Sequence, residues 1–204
     1  MPDNNTPNNN TPIWKASRIS ATMAQNVQVQ AGTLLNAFDI ASPTAPADSA
    51  IICATSGDFS FSCVPETQDF YEDVNNAPNN TKEGKEITGW DCSLTVNCIE
   101  ITNETLLLAL GAADVGADGG VHPRKTYSIA QGRDDFKQIY WIGDMKDENK
   151  LFVIAMDNTV STGGISMTTA KNAKGQLALT LTPHATIADI EKVPMAFYIL
   201  TKTP

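Results

Sequence analysis

Asp135-Phe-Lys-Gln-Ile-Tyr-Trp-Ile-Gly-Asp144, Lys150-Leu-Phe-Val-Ile-Ala-Met-Asp-Asn158, Gly175-Gln-Leu-Ala-Leu-Thr-Leu-Thr182 and Val193-Pro-Met-Ala-Phe-Tyr-Ile199 follow one another in the C-terminal half of this chain. They are four β-type runs, separated by short Gly, Asp and Asn turns such as Ser161-Thr-Gly-Gly164. Leu177, Leu179 and Leu181 alternate with Ala178, Thr180 and Thr182, so that strand has one apolar face. Leu151 to Met156 is apolar on both faces, which predicts a central strand.

The same grammar extends toward the N-terminus. In Trp90–Cys98, Cys92, Leu94, Val96 and Cys98 fall on one side, with Ser93, Thr95 and Asn97 on the other. Ala50–Ala54 and Phe59–Cys63 read as strand, turn, strand, with Phe59, Phe61 and Cys63 on one face. Val27–Gln30 alternates, and Gly32–Asp39 continues as a strand. One helix is expected. Thr102 is its N-cap with Thr105 three residues on, Leu106–Leu110 its body and Gly111 its stop. Ala112–Val121, with three glycines, reads as a loop. The fold class that follows is mainly β: a two-sheet sandwich or barrel-like fold with one short flanking α-helix and long loops.

Two stretches lack this periodicity. Residues 1–12 are Asn, Pro and Thr, which bury no apolar area, so they form a flexible arm before a single domain at 13–204. Val64 to Gly89 carries Glu66, Asp69, Glu72, Asp73, Glu83 and Glu86 against Lys82 and Lys85. It reads as a long acidic loop at about 65–88, unusual inside a compact domain. Phe70 and Tyr71 argue for an arm that orders against a neighbouring subunit rather than a solvated linker.

Charge narrows the partners. Acids outnumber bases 23 to 14, and the net charge is −9. Such a surface repels DNA, which suits a conduit and not a binder. The N-terminus has no basic region followed by an apolar core, and the longest apolar run is far short of the roughly 20 residues of a membrane helix, so neither secretion nor a membrane is expected. The Asn-X-Thr sequons at Asn4, Asn9, Asn79 and Asn103 are then chance. Cys92 and Cys98 lie about 20 Å apart on one extended strand and cannot bridge each other. Cys53 and Cys63 flank the Gly57-Asp58 turn and could face across a hairpin. The overall expectation is four buried free thiols in a reducing cytoplasm.

No catalytic, cofactor or metal site is expected. Phosphate loops, dinucleotide fingerprints and nucleophile elbows are absent. No Cys-X-X-Cys occurs, and the acids at 66–73 lack the spacing of a calcium loop. His122 and His184 have no obvious nucleophile in sequence and read as structural or solvated. Trp90 and Trp141 border strands and read as core.

The ordered set Gly89-Trp-Asp-Cys-Ser-Leu-Thr-Val96, Ile101–Ala112, Asp135–Asp144, Val160–Gly175 and Val193–Tyr198 resembles the major tail tube proteins of long, non-contractile-tailed bacteriophages, over roughly Ala24 to Ile199. The resemblance implies a virion tail protein, assembled in the host cytoplasm. Six subunits would form a ring with a β-lined lumen, and rings would stack. A tape measure protein would fill the lumen, tail-tip and tail-terminator proteins would meet the ends, and viral DNA would pass without specific binding. Long loops would contact the next ring. That role falls to Glu66, Asp69, Phe70, Tyr71, Glu72 and Asp73. Alternatives are the tube of a related secretion or injection machine, and a β-sandwich adhesin or carbohydrate-binding module.

Overall fold

The computed structural model describes residues 20, 22–28, 32–57, 59–76, 81–126, 135–169 and 174–203. The expected arm at 1–12 lies outside them. Eleven strands occur among the described residues: β1 Thr33–Leu35, β2 Ile51–Ala54, β3 Ser60–Asp69, β4 Lys85–Cys98, β5 Ala113–Val115, β6 Val121–Pro123, β7 Lys137–Asp144, β8 Lys150–Ser161, β9 Ser166–Thr168, β10 Gln176–Thr182 and β11 Met195–Thr201. One α-helix, α1, spans Asn103–Leu110. No described helix is long and apolar enough to cross a membrane.

Nine strands form one hydrogen-bonded sheet, folded into two antiparallel layers, with β9 and β11 branching from its seven-strand path. The first layer is β2-β1-β7-β8-β11 and the second is β3-β4-β10-β9. Strand β8 belongs to both. Residues 151–156 pair with β7 and β11, whereas Val160 and Ser161 pair with β10. The change of layer occurs at an irregularity opposite Gln138, where Asn158 has φ 46°. Its side-chain amide donates to the His184 carbonyl at 3.0 Å and fixes the bend. Asparagine tolerates this left-handed backbone better than a branched residue does.

Two apolar layers result, as the central position of β8 requires. Between the sheets lie Leu34, Trp141, Ile154 and Met156 from one side, and Leu94, Val96, Leu177, Leu179 and Leu181 from the other. Phe59 stacks on Trp141 with ring centroids 4.1 Å apart. On the outer face of the first sheet a second cluster holds Leu35, Tyr140, Leu151 and Val153, covered by Phe38 and Ile40. The segment Asn36–Asp39 therefore leaves the sheet to act as a cover, and β1 is shorter than the expected Gly32–Asp39 strand. Gly32 has to be glycine, because a Cβ there would meet the Ile142 carbonyl and the Trp141 ring.

Helix α1 starts as expected. The Thr105 amide donates to Thr102 Oγ1 at 3.2 Å, and the Thr102 amide donates to Thr105 Oγ1 at 2.8 Å. A threonine thus completes the reciprocal cap usually made by glutamate. Gly111 ends the helix with φ 69°. The expected loop at 112–121 is instead a β5–β6 hairpin, held to the start of β7 by Arg124, which bonds Asp114 and Asp135.

The cysteines correct the free-thiol expectation. Disulfides join Cys53 to Cys98, with Cα atoms 5.9 Å apart, and Cys63 to Cys92, 4.0 Å apart. Cys63 and Cys92 are direct register partners on β3 and β4. Cys98 lies beside Thr55, just past the end of β2. Strands β2 and β3 enter different layers, so Cys53 and Cys63 diverge instead of facing across a hairpin.

Candidate assembly surface

The stretch expected as a loop at 65–88 is mostly strand. Strands β3 and β4 pair from Ser60↔Thr95 to Asp69↔Lys85, so Val64–Asp69 and Lys85–Asp91 form a two-stranded ribbon projecting beyond the Cys63–Cys92 bond. Both of its faces are wet, which removes the polar–apolar alternation that marks a half-buried strand. Pro65 fits because β3 is an edge strand, where a missing N–H is tolerated.

The register assigns side chains to faces. Opposed residues share a side, so the inward stripe Phe61, Cys63–Cys92 continues outward as Pro65–Trp90 and Thr67–Ile87. A shift between Glu66 and Thr67, opposite Thr88, keeps Ile87 on that side. Among the described residues the stripe is left largely uncovered: Trp90 is 41% exposed and Ile87 58%. Trp90 is therefore a surface residue, correcting its reading as core, whereas Trp141 is fully buried. The opposite side carries Glu66, Gln68, Glu86 and Asp91, with Val64 also exposed.

The six predicted contact residues fall on this hairpin in two groups. Glu66 and Asp69 belong to β3, and Asp69 pairs with Lys85 at 3.6 Å. Phe70, Tyr71, Glu72 and Asp73 form the turn that follows. Phe70 is 66% exposed and meets Tyr71 edge-on at 5.4 Å, while Tyr71 packs against Gly84. Sequence reading missed Ile87 and Trp90. The signal was parity with Cys92, direct for Trp90 and hidden for Ile87 by the extra residue at Thr88.

Two further surfaces stand out. Among the described residues β11 is the other long edge strand, with Phe197 and Ile199 exposed. Phe197 meets Phe61 across the open mouth between the sheets at 4.9 Å. The outer face of the second sheet is built from Ser60, Ser62, Ser93, Thr95, Asn97, Ala178, Thr180 and Thr182, all uncharged.

A concavity of about 390 Å³ is lined by Gln138, Asp157, His184, Asp189 and Lys192, among others. Its polar groups mostly satisfy one another. Asp157 accepts from Gln138 at 3.1 Å and from Lys192 at 2.7 Å, and this bond with the aspartate holds the Lys192 ammonium above its ordinary pKa. His184 Nδ1 lies 3.3 Å from the Asn158 carbonyl, and its ring abuts Phe136. His122 sits on the Asp118 carboxylate at 3.1 Å, at the exposed tip of β5–β6. That bond, with a second from the Gly120 amide, lowers the Asp118 pKa. Among the described residues no three His, Cys, Asp or Glu side chains group as metal ligands.

No protein-family model matches the chain, and no curated protein matches it. Among solved structures, the chain is similar to one described as "Virion of native gene transfer agent (GTA) particle". The TM-score is 0.37 at 11% identity, over 82% of this chain and 95% of that one. The likeness is too loose for a conclusion to rest on it.

Proposed function

We propose that the chain is a structural subunit of a phage-type tail tube, assembling through its own copies into six-membered rings that stack. The observation that carries this reading is the β3–β4 hairpin. It extends the inward stripe of a sandwich past the end of the sandwich, leaving Trp90, Ile87 and Phe70 in solvent. An apolar stripe on a projecting ribbon needs a partner surface. A surface unlike itself on the next copy makes the contact heterologous, the kind that closes rings or extends filaments. The free edges of β3 and β11 add to the argument, because unpaired edges invite pairing that ring closure removes.

In this reading the hydroxyl-rich face of the second sheet lines the lumen. It offers no cation along Ser62, Ser93, Thr95 and Thr180, so DNA slides past without phosphate contacts. Acids enter only at its hairpin end, with Asp91 and Glu66. The tape measure protein occupies that lumen before DNA, and tip and terminator proteins meet the two end rings.

Negative-stain electron microscopy over a concentration series tests the reading. Hollow rings or tubes are expected from the intact chain, and folded single particles from a chain lacking residues 66–86. Tubes from the deletion, or single particles from the intact chain even with its tail-tip complex, would overturn it.

A further inference from the structure

The two disulfides differ in how solvent reaches them. Cys53 and Cys98 are both 0% exposed, and Cys92 is 3% exposed. Cys63 is half-buried and packs on the core from its margin. It lies on β3, an edge strand, so one of its flanks has no neighbouring strand among the described residues. A thiolate opens a disulfide by direct attack on a sulfur, and access helps set the rate. Cys63 offers a point of attack, and the Cys53–Cys98 bond offers none.

The bonds also differ in what they hold. Cys53–Cys98 lies within the core between the layers. Cys63–Cys92 joins register partners at the rung where the ribbon leaves that core. Their Cα separation of 4.0 Å marks the closer kind of antiparallel pair, in which the two residues exchange no backbone hydrogen bonds. The sulfur bridge is thus the direct link at that rung. Outward of it the ribbon has the ladder from Val64↔Asp91 to Asp69↔Lys85, the Asp69–Lys85 ion pair, and a Thr88 hydroxyl donating to the Glu66 carbonyl at 3.2 Å. A two-stranded hairpin without a packed face is marginal in water. A crosslink at its root removes open conformations of the span it closes, and the sequence separation here is 29. That span is the ribbon and its tip.

We infer that Cys63–Cys92 is a redox clasp on the ribbon: a dithiol opens it while Cys53–Cys98 stays closed, and opening loosens the ribbon without unfolding the body. One thiolate of the dithiol attacks Cys63 Sγ, the Cys63–Cys92 bond breaks, and Cys92 leaves as a thiolate that takes up a proton. The second thiolate of the dithiol then displaces Cys63, which is protonated in turn. Two electrons pass to the protein, and the dithiol ends as a cyclic disulfide. A disulfide oxidant such as oxidised glutathione closes the clasp by the reverse exchange. The ribbon then adapts to a partner under reducing conditions and is set in shape under oxidising ones. The inference concerns the single subunit and is independent of the assembly reading.

The test starts from the full chain, oxidised with glutathione disulfide and then exposed to dithiothreitol. Samples are quenched with acid at intervals, alkylated and peptide-mapped. Cys63 and Cys92 should become alkylated at least about tenfold faster than Cys53 and Cys98. Equal rates, Cys53–Cys98 opening first, or free Cys63 and Cys92 in the oxidised chain would each overturn the inference. Hydrogen exchange read by mass spectrometry on the Cys63→Ser, Cys92→Ser variant tests the consequence. Amides of residues 64–69 and 85–91 should exchange about tenfold faster or more, with β7, β8 and β10 as protected as before. Unchanged exchange in the ribbon, or faster exchange throughout the body, would refute a clasp confined to the ribbon. Should the variant fail to fold, the same peptides are read on the unaltered chain in the interval when only Cys63 and Cys92 are reduced, and the same two results decide.

Discussion

Replacing Ile87 and Trp90 together by threonine separates folding from assembly. Threonine keeps the strand preference, so the ribbon persists. In the free subunit these side chains are 58% and 41% exposed. Losing surface groups of this kind costs on the order of 1 kcal/mol together. In a tube the exposed remainder would be buried. A tryptophan presents about 150–250 Å². The uncovered part of Trp90 is then about 60–100 Å², or about 1.5–2.5 kcal/mol at ~25 cal/mol/Å². Ile87 adds about 1–1.5 kcal/mol on the same scale. Association realises only part of such sums. About 3 kcal/mol per contact is a fair expectation, equivalent to about 100-fold in association constant. The critical concentration, measured by sedimentation and electron microscopy, should therefore rise about 100-fold, while the urea midpoint barely moves. An unchanged critical concentration would refute the stripe as an interface. A large fall in the urea midpoint would show that it supports its own fold instead.

Three further outcomes are expected. Non-reducing peptide mapping should recover Cys53–Cys98 and Cys63–Cys92. Reduction should lower stability, the larger share, about 4 kcal/mol by loop entropy, coming from the bond that spans 45 residues; a Cys53–Cys63 peptide would contradict the layer assignment. Thr102→Ala should cost about 1 kcal/mol in urea unfolding, because it removes the α1 cap; no loss would mean that the helix does not depend on it. In the folded chain, NMR should find the Asp118 carboxyl titrating below 3.8, and His122→Ala should move it back up. A depressed carboxylate contributes stability present above its unfolded pKa, so this contribution is lost only as pH falls below about 3.8 toward the folded value. A normal Asp118 titration in the intact chain would show that the pair does not form.

The elements legible in the sequence are those with one wet and one dry face. β4 from Cys92 to Cys98 and β10 from Leu177 to Leu181 alternate in burial as their residues alternate in polarity. The α1 cap is legible because its signal is local. Two kinds of feature are not. Strands wet on both sides, Val64–Asp69 and Lys85–Asp91, carry no alternation, so a hairpin reads as a loop. Features set by how layers cross also leave no local trace. The Cys53–Cys98 pairing depends on where β2 and β4 meet, and the exposure of Trp90 depends on where the opposing sheet stops. In the sequence, Trp90 therefore reads as core and Ile87 as part of a loop, whereas the structure exposes both on one ribbon.

Strand β8, shared by both layers, has a mechanical meaning. A sandwich of two independent sheets shears when one slab slides over the other. Here sliding has to break the β8 pairing with β7 and β11 on one side, or with β10 on the other. The Cys53–Cys98 bond, formed by different strands, ties the same two slabs a second time. These ties, with the Thr55–Cys98 backbone bridge beside the disulfide, make the body a stiff box. The projecting ribbon, held at its root by Cys63–Cys92, is then the spring. A filament of such units would bend at its joints, and its wall elements would keep their shape.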